Sequence, residues 1–141
     1  MTLKPIVIDS TTSENGYTRL LGGPPESVSM RSGKIVLKPG EAVGEHSTKS
    51  NEELIIILEG KGRFLLDNEQ NMKFNAGSVL YCPPNTQHNI LNSGSTTLIY
   101  IYVVANAVWL IIKGIDFFHR FIDRGTLTRE KIKHMFRYYR F

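Results

Sequence analysis

Along its first 112 residues the chain alternates short apolar runs with clusters of turn-forming residues. Read as strands, the runs are Pro5–Asp9, Tyr17–Leu21, Ser27–Leu37, Leu54–Glu59, Gly62–Leu66, Met72–Phe74, Ser78–Cys82, His88–Asn92 and Thr97–Val104. The breaks between them are rich in Gly, Pro, Asn and Asp, as in Gly22-Gly23-Pro24-Pro25, Asn75-Ala76-Gly77 and Pro83-Pro84-Asn85. These residues supply the fixed or positive φ that tight turns require. Strands at such regular spacing, without helical interruption, predict a sandwich or barrel. One run, Leu54 to Leu58, is aliphatic at every position. A strand apolar on both faces is expected to be central, with core on one side and a second sheet or subunit on the other. Glu53, Ile55 and Ile57 share one of its faces, because side chains alternate along a strand.

Beyond residue 112 the period changes. Ile115, Phe118 and Ile122, with Phe121 beside them, follow a helical repeat that Gly125 can stop. Thr128 is a suitable N-cap for a second helix, with Glu130 in its first turn. That helix presents Ile132, Met135, Phe136 and Tyr139 on one side and a stripe of Lys133, Arg137 and Arg140 beside it. The expected organisation is therefore a β-barrel domain over residues 1–112. A basic helical tail, residues 113–141, then packs on the barrel or on a second subunit.

Composition narrows this picture. A chain of 141 residues, 41% of them hydrophobic and 21% charged, can form one compact domain with a true core. The net charge of +4 is uneven. Residues 1–112 carry nine Lys/Arg against ten Asp/Glu, a balance of −1, and residues 113–141 carry eight against three, a balance of +5. The excess of positive charge belongs to the tail, and no nucleic-acid-binding motif accompanies it, so nucleic acid is not an expected partner. The longest apolar stretch, Leu98 to Ile112, spans fifteen residues and includes Asn106, short of the ~20 a membrane helix needs. No membrane association is expected. A single cysteine, Cys82, excludes an internal disulfide. With no secretory-type leader at the N-terminus, it fits a reducing, cytoplasmic location.

The chemistry concentrates in two glycine-bounded blocks. In the first, Gly40 precedes His46, Thr48 and Glu53, and Gly60 closes it. In the second, Gly77 precedes Pro83, Asn85, His88 and Asn92. If the two blocks pair within one barrel, His46, Glu53 and His88 can converge inside it. Two imidazoles and a carboxylate form a three-ligand metal site with open positions, suited to Fe(II), Zn or Mn. Open positions admit a substrate, water or dioxygen. Thr48, Glu52, Tyr81 and Gln87 are the nearby candidates for hydrogen bonds that orient the ligands. A carboxylate leading into five aliphatic residues is costly to bury alone. Its alternative partners are the cations Lys34, Lys61 and Arg63.

The two blocks resemble the paired motifs of the cupin superfamily. The first of these is a glycine, His-x-His, a glutamate and a glycine; the second is a glycine, Pro-x-Gly, a histidine and an asparagine. The resemblance covers roughly residues 30–104 and departs at two positions: Asn85 stands for the motif glycine and Thr48 for the second histidine. It implies an all-β, jelly-roll barrel, to which the short α-helical C-terminal extension is added, and a divalent transition metal (Fe, Mn, Zn or Ni) held by His46, Glu53 and His88. It implies a small-molecule ligand or substrate, a reaction of the dioxygenase or isomerase type, and a homodimer, with which an outer face of Leu54, Ile56 and Leu58 is compatible. With Thr48 neutral, the competing expectation is a non-catalytic module that binds a sugar or metabolite without metal.

Overall fold

The computed structural model describes residues 3–10, 16–67 and 71–107. Nine strands account for most of them: β1 (Gly16–Gly22), β2 (Arg31–Leu37), β3 (His46–Ser47), β4 (Asn51–Glu59), β5 (Lys61–Leu66), β6 (Asn71–Asn75), β7 (Val79–Cys82), β8 (Gln87–Leu91) and β9 (Leu98–Asn106). They form two antiparallel sheets, one of order β1-β2-β9-β4-β7 and one of order β3-β8-β5-β6. The all-β expectation holds. Among the described residues there is no helix long and apolar enough to cross a membrane. The two helices expected after residue 112 fall outside the described residues.

Each sheet turns its apolar parity inward. Ile55 and Ile57 of β4, Tyr100 of β9, Phe64 of β5, Phe74 of β6 and Ile90 of β8 are all buried in one cluster. Glu53 follows Ile55 and Ile57 onto the same buried face, as the alternation required. The opposite face of β4 presents Leu54 and Leu58 to solvent. β4 lies between β9 and β7, so it is an interior strand of its sheet.

Four elements differ from expectation. Pro5–Asp9 belongs to no strand, and Ser27–Ser29 is a bend; β2 begins only at Arg31. The chain around His46 forms a two-residue strand that had no apolar run to announce it. β4 starts at Asn51, so Glu53 sits inside the strand instead of opening it. Asn85 adopts φ 58°, the left-handed conformation that an asparagine tolerates in place of glycine. Its amide donates to the Lys49 carbonyl at 2.7 Å, linking the β7–β8 turn to the β3–β4 turn.

Candidate functional site

His46 and His88 are directly opposite one another in the β3–β8 pair. Their ring centroids are 4.3 Å apart. Glu53 reaches them from the other sheet, where it stands beside Cys82 on β7 and Val104 on β9. Register within one sheet and closure between two sheets therefore bring together three residues that the sequence spreads over 43 positions. The ligand atoms of the three side chains all lie within 4.8 Å of one another.

The imidazoles are oriented by the backbone. Nδ1 of His46 lies 2.9 Å from the Gly44 carbonyl and Nδ1 of His88 lies 3.3 Å from the Thr86 carbonyl. A carbonyl can only accept, so each Nδ1 carries the proton and each Nε2 is left facing the carboxylate. Glu53 Oε2 is 3.2 Å from His88 Nε2 and 4.0 Å from His46 Nε2. The shorter approach is close enough for an ion pair, yet it is out of line for a hydrogen bond. His88 Nε2 is thus a fully buried polar atom without a hydrogen-bond partner. Two convergent lone pairs, a carboxylate and an orphaned buried nitrogen match the donor set of a divalent-metal site.

Without a metal, this arrangement favours a protonated His88. Burial by itself lowers the His88 pKa, but the adjacent Cys82 thiol and Glu53 carboxylate, which favour the charged ring, outweigh it and raise the pKa from 6.5 to about 10. Phe64 meets the His88 ring edge-on at 5.5 Å between centroids and closes its far side to water.

The other expected site residues have different positions. Thr48 is buried, and its hydroxyl donates to the Pro83 carbonyl at 2.8 Å and accepts from the Thr86 amide at 2.9 Å. It fastens the turn after β3 to the turn before β8; the first follows His46 and the second leads into His88. Glu52 and Tyr81 do not hydrogen-bond to the histidine–glutamate cluster. Tyr81 faces outward beside Leu54 and donates to Glu52 Oε2 at 3.1 Å. Neighbouring residues on a strand point oppositely, which sends Glu52 away from Glu53. Gln87 likewise bonds Glu45, at 3.1 Å. Nor does Lys34 pair with Glu53: its ammonium donates to the Ser10 carbonyl. Asn92 is wholly buried and structural, with Nδ2 donating to the Leu37 and Thr96 carbonyls, each at 2.9 Å.

The cluster opens into a cavity of about 620 Å³ between the sheets. Besides the two histidines and Glu53, its walls include Tyr17, Arg19, Arg31, Ile35, Tyr100 and Tyr102, none of which was singled out from the sequence. Strand parity was the available signal, because Arg31 shares a face with Ile35 and Tyr100 with Tyr102. It could be used only once the partners of β2 and β9 were known. Gly33 makes the space between them: a Cβ there would lie 2.8 Å from both the Tyr17 and the Tyr102 ring. Tyr102 Oη donates to Tyr17 Oη at 3.3 Å. Burial raises the Tyr100 and Tyr102 pKa values well above the usual phenol range, so both remain neutral at physiological pH.

Comparison with known proteins follows the same lines. Residues 33–104 match the Cupin domain family. Over 71 residues the chain is 34% identical to the oxalate-binding protein of Thermotoga maritima, a match covering 50% of this chain and 58% of that protein. Over 53 residues it is 42% identical to an uncharacterised protein of Methanocaldococcus jannaschii, covering 38% of this chain and 42% of the other. The chain thus spans about half the length of the curated relatives it matches. Among solved structures, an RmlC-like cupin family protein of M. jannaschii with a double-stranded β-helix fold superposes with a TM-score of 0.62. It is 20% identical, and the match covers 75% of this chain and 94% of that one. At that identity the likeness carries the fold.

Proposed function

The chain belongs to the cupin family, and from that membership we propose that its cavity is a small-molecule site built on a divalent metal held by His46, Glu53 and His88. The observation that carries this reading is the pair of Nδ1–carbonyl contacts. They leave both Nε2 atoms aimed at one carboxylate, with that of His88 buried and unpartnered. Three protein ligands leave coordination positions for a substrate or water, and the metal would supply Lewis-acid or redox chemistry of the isomerase or dioxygenase kind. The protein's own contribution is to orient the ligands and to close one side of His88 with Phe64. It also offers the neutral phenols of Tyr100 and Tyr102 as cavity wall. The Thermotoga relative is named for binding a small organic acid, which supports a small-molecule ligand here.

A second reading has its own observation. His88 and Glu53 can satisfy each other as an imidazolium–carboxylate pair at 3.2 Å, and this permits a cavity that binds its ligand without metal. Elemental analysis of protein purified without chelator or histidine tag decides between the two. Bound metal that disappears in His88→Ala supports the first reading, and metal-free protein that cannot be reconstituted supports the second.

A further inference from the structure

The cavity contains two arginines whose charges are handled differently. Arg19 of β1 is neutralised: its guanidinium meets Glu26 Oε1 at 2.9 Å, and the other Glu26 oxygen accepts from the Gly22 amide at 2.8 Å. The pair lies over Gly22, where a Cβ would come within 2.7 Å of Arg19 Nη1 and 2.9 Å of Glu26 Oε2. Arg31 opens β2 and packs its stem against Gly23, where a Cβ would lie 3.0 Å from Arg31 Cγ. Among the described residues no carboxylate comes within salt-bridge distance of Arg31. Its charge is nevertheless felt inside the cavity, where it opposes the rise in the Tyr102 pKa.

The sheet register places this guanidinium relative to the histidine–glutamate cluster. Arg31 pairs with Val104, and Val104 pairs with Glu53, so the three stand in one cross-strand row facing the cavity. Two strand spacings put the Arg31 and Glu53 backbones roughly 10 Å apart. The next row of the same face carries Gly33 and Tyr102, and the rings of Tyr17 and Tyr102 lie over the glycine. An exposed guanidinium on the cavity wall beside phenols, with no carboxylate partner among the described residues, is suited to a planar oxyanion that accepts two parallel N–H bonds.

We infer that the cavity selects a small organic acid, whose oxyanion head is gripped by Arg31 while its other end faces His46, Glu53 and His88. This rests on the small-molecule reading above but does not require the metal. Arg31 is the specificity-determining residue, and Arg19 is a structural neighbour.

The test is calorimetric titration of the full chain with malonate, inorganic phosphate and the neutral isostere malonamide, with metal content measured on every sample. The expected result is binding of malonate or phosphate but not malonamide, weakened about tenfold or more in Arg31→Leu. Arg31→Lys recovers part of the loss, because an ammonium restores charge without the fork. Arg19→Gln changes affinity less than about threefold, in keeping with the small contribution of an exposed pair. Tighter Arg31-dependent binding of phosphate than of malonate would assign the head group to a phosphate ester, and the reverse to a carboxylate. Equal binding of malonamide, an Arg31→Leu affinity equal to that of the parent, or no binding of either anion at millimolar concentration overturns the inference. Arg31-dependent binding in protein that holds no metal removes the metal reading and leaves this one standing. Metal present in full with no Arg31 dependence does the opposite.

Discussion

Replacing Thr48 by valine keeps the shape of a buried side chain and removes both hydrogen bonds of its hydroxyl. The Thr86 amide loses its 2.9 Å acceptor and the Pro83 carbonyl loses its 2.8 Å donor. Pro83 is exposed and can turn to water, at a cost of about 0.5–1 kcal/mol, whereas the half-buried Thr86 amide costs about 1–2 kcal/mol when left unpaired. The expected loss is about 2 kcal/mol, or roughly 10 °C in melting temperature for a domain of this size. Thr48→Ser keeps the hydroxyl and loses only a methyl, so it should remain within about 1 kcal/mol of the parent. The same change reaches the site, because the Thr86 carbonyl that accepts from Thr48 N also faces His88 Nδ1. Metal affinity should fall about tenfold in the valine variant, the usual cost of disturbing the groups that orient a ligand. Thermal melts in chelator separate the fold effect from the metal effect, and competition with a metallochromic dye measures the second. If valine and serine variants melt together, the hydroxyl does not fasten the two turns and the reasoning fails.

Further outcomes follow from the same geometry. The His88 pKa is about 10 in the folded, metal-free protein against 6.5 for the free side chain. The pair with Glu53 therefore contributes its full stability below pH 6.5 and loses it as pH rises toward 10. Melting curves in chelator should decline over that window, and the decline should shrink in His88→Gln; a pH-independent difference between the two proteins would refute it. Because a metal must displace that proton, binding at pH 7–8 should release roughly one proton. Calorimetry in two buffers of different ionisation enthalpy reads this directly, and zero release would mean that His88 is neutral beforehand. Gly33→Ala places a methyl 2.8 Å from the Tyr17 and Tyr102 rings. It should cost about 1–3 kcal/mol as the rings are displaced, seen as a lower midpoint in urea. An unchanged midpoint would show that the rings move freely.

Much of the barrel was legible from local pattern. The alternating runs located β1, all of β2 within a longer run, and all six strands from β4 to β9 except β4's first residues, because each carries enough apolar side chains on one parity to mark itself. β3 was not legible as a strand. It has two residues, and what makes it a strand is pairing with β8, forty positions away. Pro5–Asp9 shows the converse: an apolar run that belongs to no strand. His46, Glu53 and His88 were found because their spacing between turn glycines resembles a family motif. The groups around them were not, because a side chain's face depends on register. Tyr81 follows Leu54 outward and Cys82 follows Glu53 inward, a distinction set by the β4–β7 pairing and invisible in the order of residues. Arg31 went unremarked for the same reason, since only the β2–β9–β4 register puts it in the row of Glu53.

The central claim is that three side chains from opposite sheets hold one metal ion. Its most direct test is the metal content of protein purified without chelator or tag, measured alongside His88→Ala. The expected result is about one equivalent in the parent, retained on dialysis, and loss of it in a variant whose circular dichroism and melting in chelator still report a folded barrel. Less than about a tenth of an equivalent, unchanged after reconstitution with Fe(II), Mn(II), Zn(II) or Ni(II), would contradict the claim and leave the His88–Glu53 pair as an internal salt bridge.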